Sequence, residues 1–174
     1  MDSKTAKTKM GTLILDEGQV DQKIRRIAYQ VYENNFGEKI IYIAGIIGAG
    51  YVLASKLKEE LEKISPIKAH LIKIDLNKQA PARDEINIDF DLTTINNKVI
   101  LLVDDVLNTG KTFAYGMRPF LNIKVKKIEV AVLVNRAHSS FPVAPTYTGY
   151  ELSTTLDEHI NVVLEEGKKG VYLH

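Results

Sequence analysis

From about Gln19 to Asn35 the apolar residues Val20, Ile24, Ile27, Ala28 and Val31 recur at helical spacing, with Gly37 as a stop. Ile40 to Ile47 is instead an unbroken, β-branched apolar stretch, the pattern of a strand buried on both faces. Gly48 and Gly50 interrupt it. Val52, Leu53, Leu57, Leu61 and Ile64 then trace a second helix, ended by Ser65-Pro66. Residues 67–76 predict another strand. Asn77 to Asp91 is polar, contains Pro81 and alternates weakly from Ile86 to Phe90, so it reads as a mobile loop or hairpin. Val99–Val103 is the strongest strand signal. A third helix is expected from about Thr112 to Leu121, and Ile128–Val134 as the next buried strand. Leu13–Leu15, Ile160–Leu164 and Val171–Leu173 are short apolar pieces.

Strand, helix, strand, helix, strand predicts an α/β fold: a central, mainly parallel sheet flanked by helices, with a small hood built from the terminal segments. Ligands of such sheets gather where strand C-termini meet loops. The length of 174 residues suits one globular domain over 12–174, preceded by a flexible basic tail over 1–11 that carries Lys4, Lys7 and Lys9. That tail has no apolar h-region and no arginine, which speaks against a secretory or mitochondrial leader. There is no cysteine, so disulfides, thiolate–metal sites and a cysteine nucleophile are excluded, and a cytoplasmic location fits. A formal charge of +1 gives no general argument for nucleic acid or membrane binding. No apolar run approaches the roughly 20 residues of a membrane span.

Candidate chemistry concentrates in Ile100–Thr112, which reads Ile-Leu-Leu-Val-Asp-Asp-Val-Leu-Asn-Thr-Gly-Lys-Thr. Two carboxylates, Asp104 and Asp105, at the mouth of a buried strand are costly without cationic or hydroxyl partners. Behind them Asn108, Thr109, Gly110, Lys111 and Thr112 offer backbone N–H groups, hydroxyls and a helix start, which suit a phosphate monoester. The carboxylates suit ribose hydroxyls or Mg²⁺. Gly110-Lys111-Thr112 matches the end of a P-loop, but that motif's first glycine would fall on Asp105, where a carboxylate repels phosphate. A phospho-acceptor aspartate would leave the threonine–glycine loop unused. A helix-capping cluster explains one aspartate better than two.

This pattern resembles the phosphoribosyl-pyrophosphate signature of type I phosphoribosyltransferases. The similarity extends to Ile14-Leu15-Asp16-Glu17, to Arg26-Ile27-Ala28, and to Val132–His138 with Pro142. These stretches are similar to those of the pyrimidine-operon attenuator proteins that also have uracil phosphoribosyltransferase activity. The resemblance implies transfer from 5-phosphoribosyl-1-pyrophosphate to a nucleobase, with Mg²⁺ required, pyrophosphate released and a homo-oligomeric assembly. On that reading Asp104 and Asp105 hold the ribose hydroxyls, directly or through the Mg²⁺ shell, and Asn108–Thr112 anchors the 5′-phosphate. Ile46, Ile47, Gly48 and Ala49 stand in the pyrophosphate loop, while Asn135 and Arg136 are base-side candidates.

The chain departs from its relatives at two places. Related attenuator proteins carry lysine and arginine where Ile47 and Ala49 stand, and a Tyr-Arg-Asp-Asp stretch where this chain has Asn77-Lys78-Gln79-Ala80. Lys78, or Arg83, then becomes the candidate replacement cation of that loop. Asn135 replaces an aspartate, while Arg136 and His138 match. The intact ribose-phosphate motif favours an enzyme. The missing cations favour the alternative of a catalytically weak regulatory protein that senses phosphoribosyl pyrophosphate or a nucleotide. RNA binding would need a basic stripe, for which Lys23, Arg25 and Arg26, or Lys124, Lys126 and Lys127, are the candidates.

Overall fold

The computed structural model describes residues 11–174, so all of the expected basic tail but Gly11 lies outside the described residues. Strand β1 (Thr12–Leu15) leads into helix α1 (Glu17–Asn35), then β2 (Ile40–Ile46), α2 (Ala49–Ile64), β3 (Lys68–Asp75) and a two-residue β4 (Asn87–Ile88). After a 3-10 turn come β5 (Val99–Leu107), the short helices α3 (Lys111–Gly116) and α4 (Arg118–Leu121), and β6 (Lys127–Asn135). The chain ends with β7 (Tyr147–Glu151), β8 (Ile160–Val163) and β9 (Gly170–Leu173).

The main sheet has six strands in the order β4-β3-β2-β5-β6-β7, parallel throughout except for β4, which pairs antiparallel with the end of β3. The expected α/β class and parallel sheet are therefore present, and the polar segment after β3 does close as a minimal hairpin. A second, antiparallel sheet β1-β9-β8 joins the two ends of the described chain and forms the hood.

Alternation along each central strand decides the layers. Ile41, Ile43, Val99, Leu101, Val103, Ala131 and Leu133 face α1 and α2. Tyr42, Ala44, Ile100, Leu102, Val130 and Val132 face the other way, against Phe113 and Phe120 of α3 and α4. Both faces are dry, which is why these strands read as continuous apolar runs. Each such fully buried aliphatic side chain contributes about 2 kcal/mol.

Helix α1 begins two residues earlier than its periodicity indicates because Asp16 caps it. The Gln19 amide donates to Asp16 Oδ1 (2.8 Å), and Gln19 Oε1 accepts from the Asp16 amide (2.9 Å), a reciprocal capping box. The single helix expected over 112–121 is two, split at Met117, with Pro119 unable to donate to the preceding turn. Strand β7 was not expected. Its sequence, Tyr-Thr-Gly-Tyr-Glu, lacks an apolar run, and it is the sheet's edge, where Arg26 of α1 donates to the carbonyls of Thr148 (3.0 Å) and Gly149 (2.6 Å). No helix among the described residues is long and apolar enough to cross a membrane.

Candidate active site

Strand order places the crevice. From β2 the chain moves to β3 on one side, then returns through β5 and continues to β6 and β7 on the other. The order reverses between β2 and β5, and ligands of open α/β sheets bind at such a switch point. Pairing of β5 to β2 stops at Gly45↔Val103, whereas pairing to β6 runs on to Leu107↔Asn135. The last residues of β5, Asp104–Leu107, therefore overhang β2 with one edge unpaired. The sequence pattern ends the strand at the aspartates; hydrogen bonding to β6 carries it four residues further.

Asp104 lies on this overhang and is buried, 2% exposed, while Asp105 is half-buried. The Asp105 amide donates to Asp104 Oδ1 (3.0 Å). The Lys78 ammonium donates to both Asp104 oxygens at 3.0 Å and lies 3.9 Å from Asp105. Burial raises the Asp104 pKa to about 8; the neighbouring Asp105 charge adds to the rise, and Lys78 opposes it without cancelling it. Gly50 permits this placement. A Cβ there would stand 2.5 Å from Asp104 Oδ1 and 3.0 Å from its Cα.

The loop after β5 curls under the carboxylates. Gly110 sits at φ +84°, in the left-handed region that glycine occupies without strain, and starts α3. The Thr109 carbonyl accepts from the amides of Ser140 (2.9 Å) and Phe141 (3.0 Å), which ties this loop to the one after β6. Asn108–Thr112, with Lys78 and Phe113, lines a cavity of about 180 Å³. A second cavity of about 410 Å³ shares Asn108 and Thr109 and runs on to Arg136, His138, Ser140 and Leu156. A small polar pocket and a larger one thus meet at the threonine loop.

The remaining candidates fall on both sides. Ile46 is buried, Ile47 is exposed at the C-terminal end of β2, and Gly48 (φ +91°) and Ala49 open α2. No cationic side chain stands among Ile46–Ala49, but Lys73 lies over the ring of Tyr51, 5.6 Å from its centroid, just beyond that turn. The pattern did not single out Lys73, whose only signal was its place on the alternating strand β3. Asn135 donates to Glu151 (3.2 Å) and accepts from the Ala137 amide (3.1 Å). Arg136 is buried and its guanidinium is spent on the hood: it donates to Thr154 Oγ1 (2.8 Å) and to the carbonyls of Thr155 (3.1 Å) and Glu158 (2.7 Å). His138 Nε2 meets the Thr154 carbonyl at 2.9 Å. These two residues grip the segment that carries Leu156, which is 84% exposed at the mouth of the larger cavity.

Two carboxylates form the acidic end, and among the described residues no group of three or more His, Cys, Asp or Glu side chains could hold a metal ion. That donor set fits Mg²⁺ in one particular way. The ion keeps several waters and is commonly bound through one or two carboxylates plus substrate oxygens.

The phosphoribosyl transferase domain matches residues 11–166, and the chain belongs to the type I phosphoribosyltransferase family. It is a glycosyltransferase of the phosphoribosyltransferase kind. It is 33% identical over 170 residues to the bifunctional protein PyrR of Fusobacterium nucleatum, a match covering 92% of this chain and 96% of that protein. It is 32% identical over 163 residues to the bifunctional protein PyrR of Caldicellulosiruptor bescii, covering 88% of each. The fold is similar to that of the hypoxanthine phosphoribosyltransferase of Trypanosoma cruzi, with a TM-score of 0.76, 11% identity and coverage of 94% and 96%. The corresponding enzyme from Staphylococcus aureus gives 0.75 at 17% identity, covering 98% of this chain and 96% of that one.

Proposed function

We propose that the protein transfers the phosphoribosyl group of 5-phosphoribosyl-1-pyrophosphate to a nucleobase, uracil by its resemblance to the attenuator proteins, and does so with Mg²⁺. The observation that carries this reading is the junction of an Asp104–Asp105 overhang with two cavities that share Asn108 and Thr109. The smaller cavity suits a 5′-phosphate, the carboxylates suit the ribose hydroxyls, and the larger one suits a base. In the reaction the C1′–O bond breaks and pyrophosphate leaves with the bonding electrons. A ring nitrogen of the base bonds to C1′ and gives up its proton. The ribose becomes oxocarbenium-like between these events, and the negative charge of Asp105, joined by that of Asp104 when it is ionised, favours that state. Asn108–Thr112 holds the phosphate away from C1′, so remote binding energy orients the reacting carbon. Asp104 and Asp105 would hold Mg²⁺ together with ligand oxygens; bound there, the ion neutralises charge on the departing pyrophosphate.

Regulation by ligand sensing is favoured by one observation, the absence of a cation among Ile46–Ala49. The candidate RNA stripes lend it little support. Arg25 pairs with Glu60 (3.5 Å), Arg26 with the β7 carbonyls, Lys126 with Glu38 and Lys127 with Glu129 (2.6 Å). The test is pyrophosphate release from phosphoribosyl pyrophosphate and Mg²⁺ with a panel of nucleobases. Release that depends on one pyrimidine supports the enzyme reading. Tight binding of phosphoribosyl pyrophosphate without release under any base supports the sensor.

A further inference from the structure

The Lys78 ammonium occupies both oxygens of the carboxylate that the transfer reading assigns to the ribose diol. Asp104 is buried, so a ribose hydroxyl that is to donate to it competes with the ammonium already seated on both of its oxygens. Lys78 is itself 41% exposed along its side chain, so it can swing away without unpacking the core. Its loop is held by other contacts: Asn77 Oδ1 accepts from the amides of Gln79 (3.0 Å) and Ala80 (3.3 Å), and Asn77 Nδ2 donates to Asp84 (2.8 Å). The ammonium also stands at the edge of the turn that lacks a cation. Asp104 Oδ1, 3.0 Å from it, is the atom that a Cβ on Gly50 would strike.

We infer that Lys78 is an exchangeable counter-cation: it holds Asp104 in the free protein, yields that carboxylate to the ribose diol, and then pairs more strongly with a ligand that carries pyrophosphate than with one that carries a 5′-phosphate alone. The inference rests on the phosphoribosyl-transfer reading. A nucleoside monophosphate must displace Lys78 from Asp104 and offers the released ammonium only its 5′-phosphate, in the cavity that Lys78 also lines. Phosphoribosyl pyrophosphate breaks the same pair and supplies a denser charge in its place. One lysine therefore biases the site toward substrate over product, in a chain whose pyrophosphate turn has no lysine or arginine of its own. A ligand shifts such an equilibrium only by its differential interaction with the two states, and here the pyrophosphate is that difference.

Calorimetric binding of phosphoribosyl pyrophosphate with Mg²⁺, and separately of UMP, to the wild type, Lys78→Gln and Lys78→Arg tests this. Lys78→Gln should weaken phosphoribosyl pyrophosphate more than UMP, changing the ratio of their dissociation constants about tenfold, as loss of one charge-assisted contact implies. Lys78→Arg should keep the wild-type order. Lys78 sits in an exposed loop, and a cooperative melt retained by each variant will confirm that it folds. Equal weakening of both ligands would assign Lys78 to the shared 5′-phosphate and overturn the inference, as would an unchanged ratio. If the wild type binds neither ligand, the transfer reading itself falls. If it binds both and only the ratio refuses to move, the transfer reading stands and the role of Lys78 does not.

Discussion

Gly50 and Asp104 meet across a gap that holds a hydrogen and nothing larger: a Cβ on Gly50 would lie 2.5 Å from Asp104 Oδ1. The first turn of α2 is thus packed directly on the acidic end of β5, and the glycine that looks like part of a phosphate-binding turn also makes room for a carboxylate. Gly50→Ala should push Asp104 off its position. Overpacking of this kind costs about 1–3 kcal/mol. In a chain of this size that lowers the melting temperature by several degrees, at about 2–4 °C per kcal/mol. Transfer activity should fall by at least tenfold at a temperature where the variant is still folded. Thermal melts and initial rates on the same preparation check both, and full activity would mean that the carboxylate's position is unimportant.

Stability should carry the signature of Asp104. Its carboxyl is pushed up to about 8, chiefly by burial. Between an unfolded value of about 4 and the folded one, the native state binds the proton more tightly, so folding stability falls as pH rises across that window. Asp104→Asn removes the titrating group and should flatten the pH dependence of the melting temperature from pH 5 to 8. Near pH 8 it should melt above the wild type by an amount on the order of 1 kcal/mol or more. Melting both proteins across that range is the measurement. A wild type that gains stability with rising pH there would show that Lys78 outweighs desolvation.

The contrast between β5 and β7 shows which parts of this protein were readable from residue order. Val99–Val103, buried on both faces, announces itself as an apolar run, and Asp104-Asp105 marks the point where it reaches the crevice. Strand β7 is an edge, half of it facing α1, and its Tyr and Gly residues carry no such signal. Within the site, the aspartates and threonine loop are contiguous in sequence and were legible as a unit. Arg136 was legible as a candidate in the loop after β6 but not in its contacts. Its three acceptors lie 18 to 22 residues further on, in a hood segment without regular structure. Lys78 was visible as a cation in a polar loop, whereas its seat on Asp104, 26 residues away, exists only once β3 and β5 flank β2.

Arg136 should govern the base side without touching the phosphate side. Arg136→Met keeps much of the apolar stem but leaves the Thr155 and Glu158 carbonyls without their donor. Lost hydrogen bonds to a charged group cost about 1.5–3 kcal/mol, and the hood segment bearing Leu156 should loosen accordingly. The expected result is a KM for the nucleobase raised about tenfold, with the KM for phosphoribosyl pyrophosphate little changed. A parallel rise in both would make Arg136 a general support of the fold.

Restoring charge to the turn after β2 separates binding of the two phosphate ends. Ile47 is exposed and takes a basic side chain freely, whereas Ala49 is partly buried against the core at the start of α2, so an arginine there must extend out over the turn. The backbone amides of a helix start already favour an anion there, and two cations would add to that field. Ile47→Lys with Ala49→Arg should therefore tighten phosphoribosyl pyrophosphate and inorganic pyrophosphate by about tenfold or more. UMP, whose single phosphate we assign by proposal to the cavity lined by Asn108–Thr112, should bind nearly as before. Both ligands must be measured in one buffer at one Mg²⁺ concentration, because surface charge of this kind is screened by salt. If the pair of substitutions tightened UMP as much as the pyrophosphate ligands, the gain would be a general electrostatic pull, and the turn at Gly48 would lose its assignment to the pyrophosphate end.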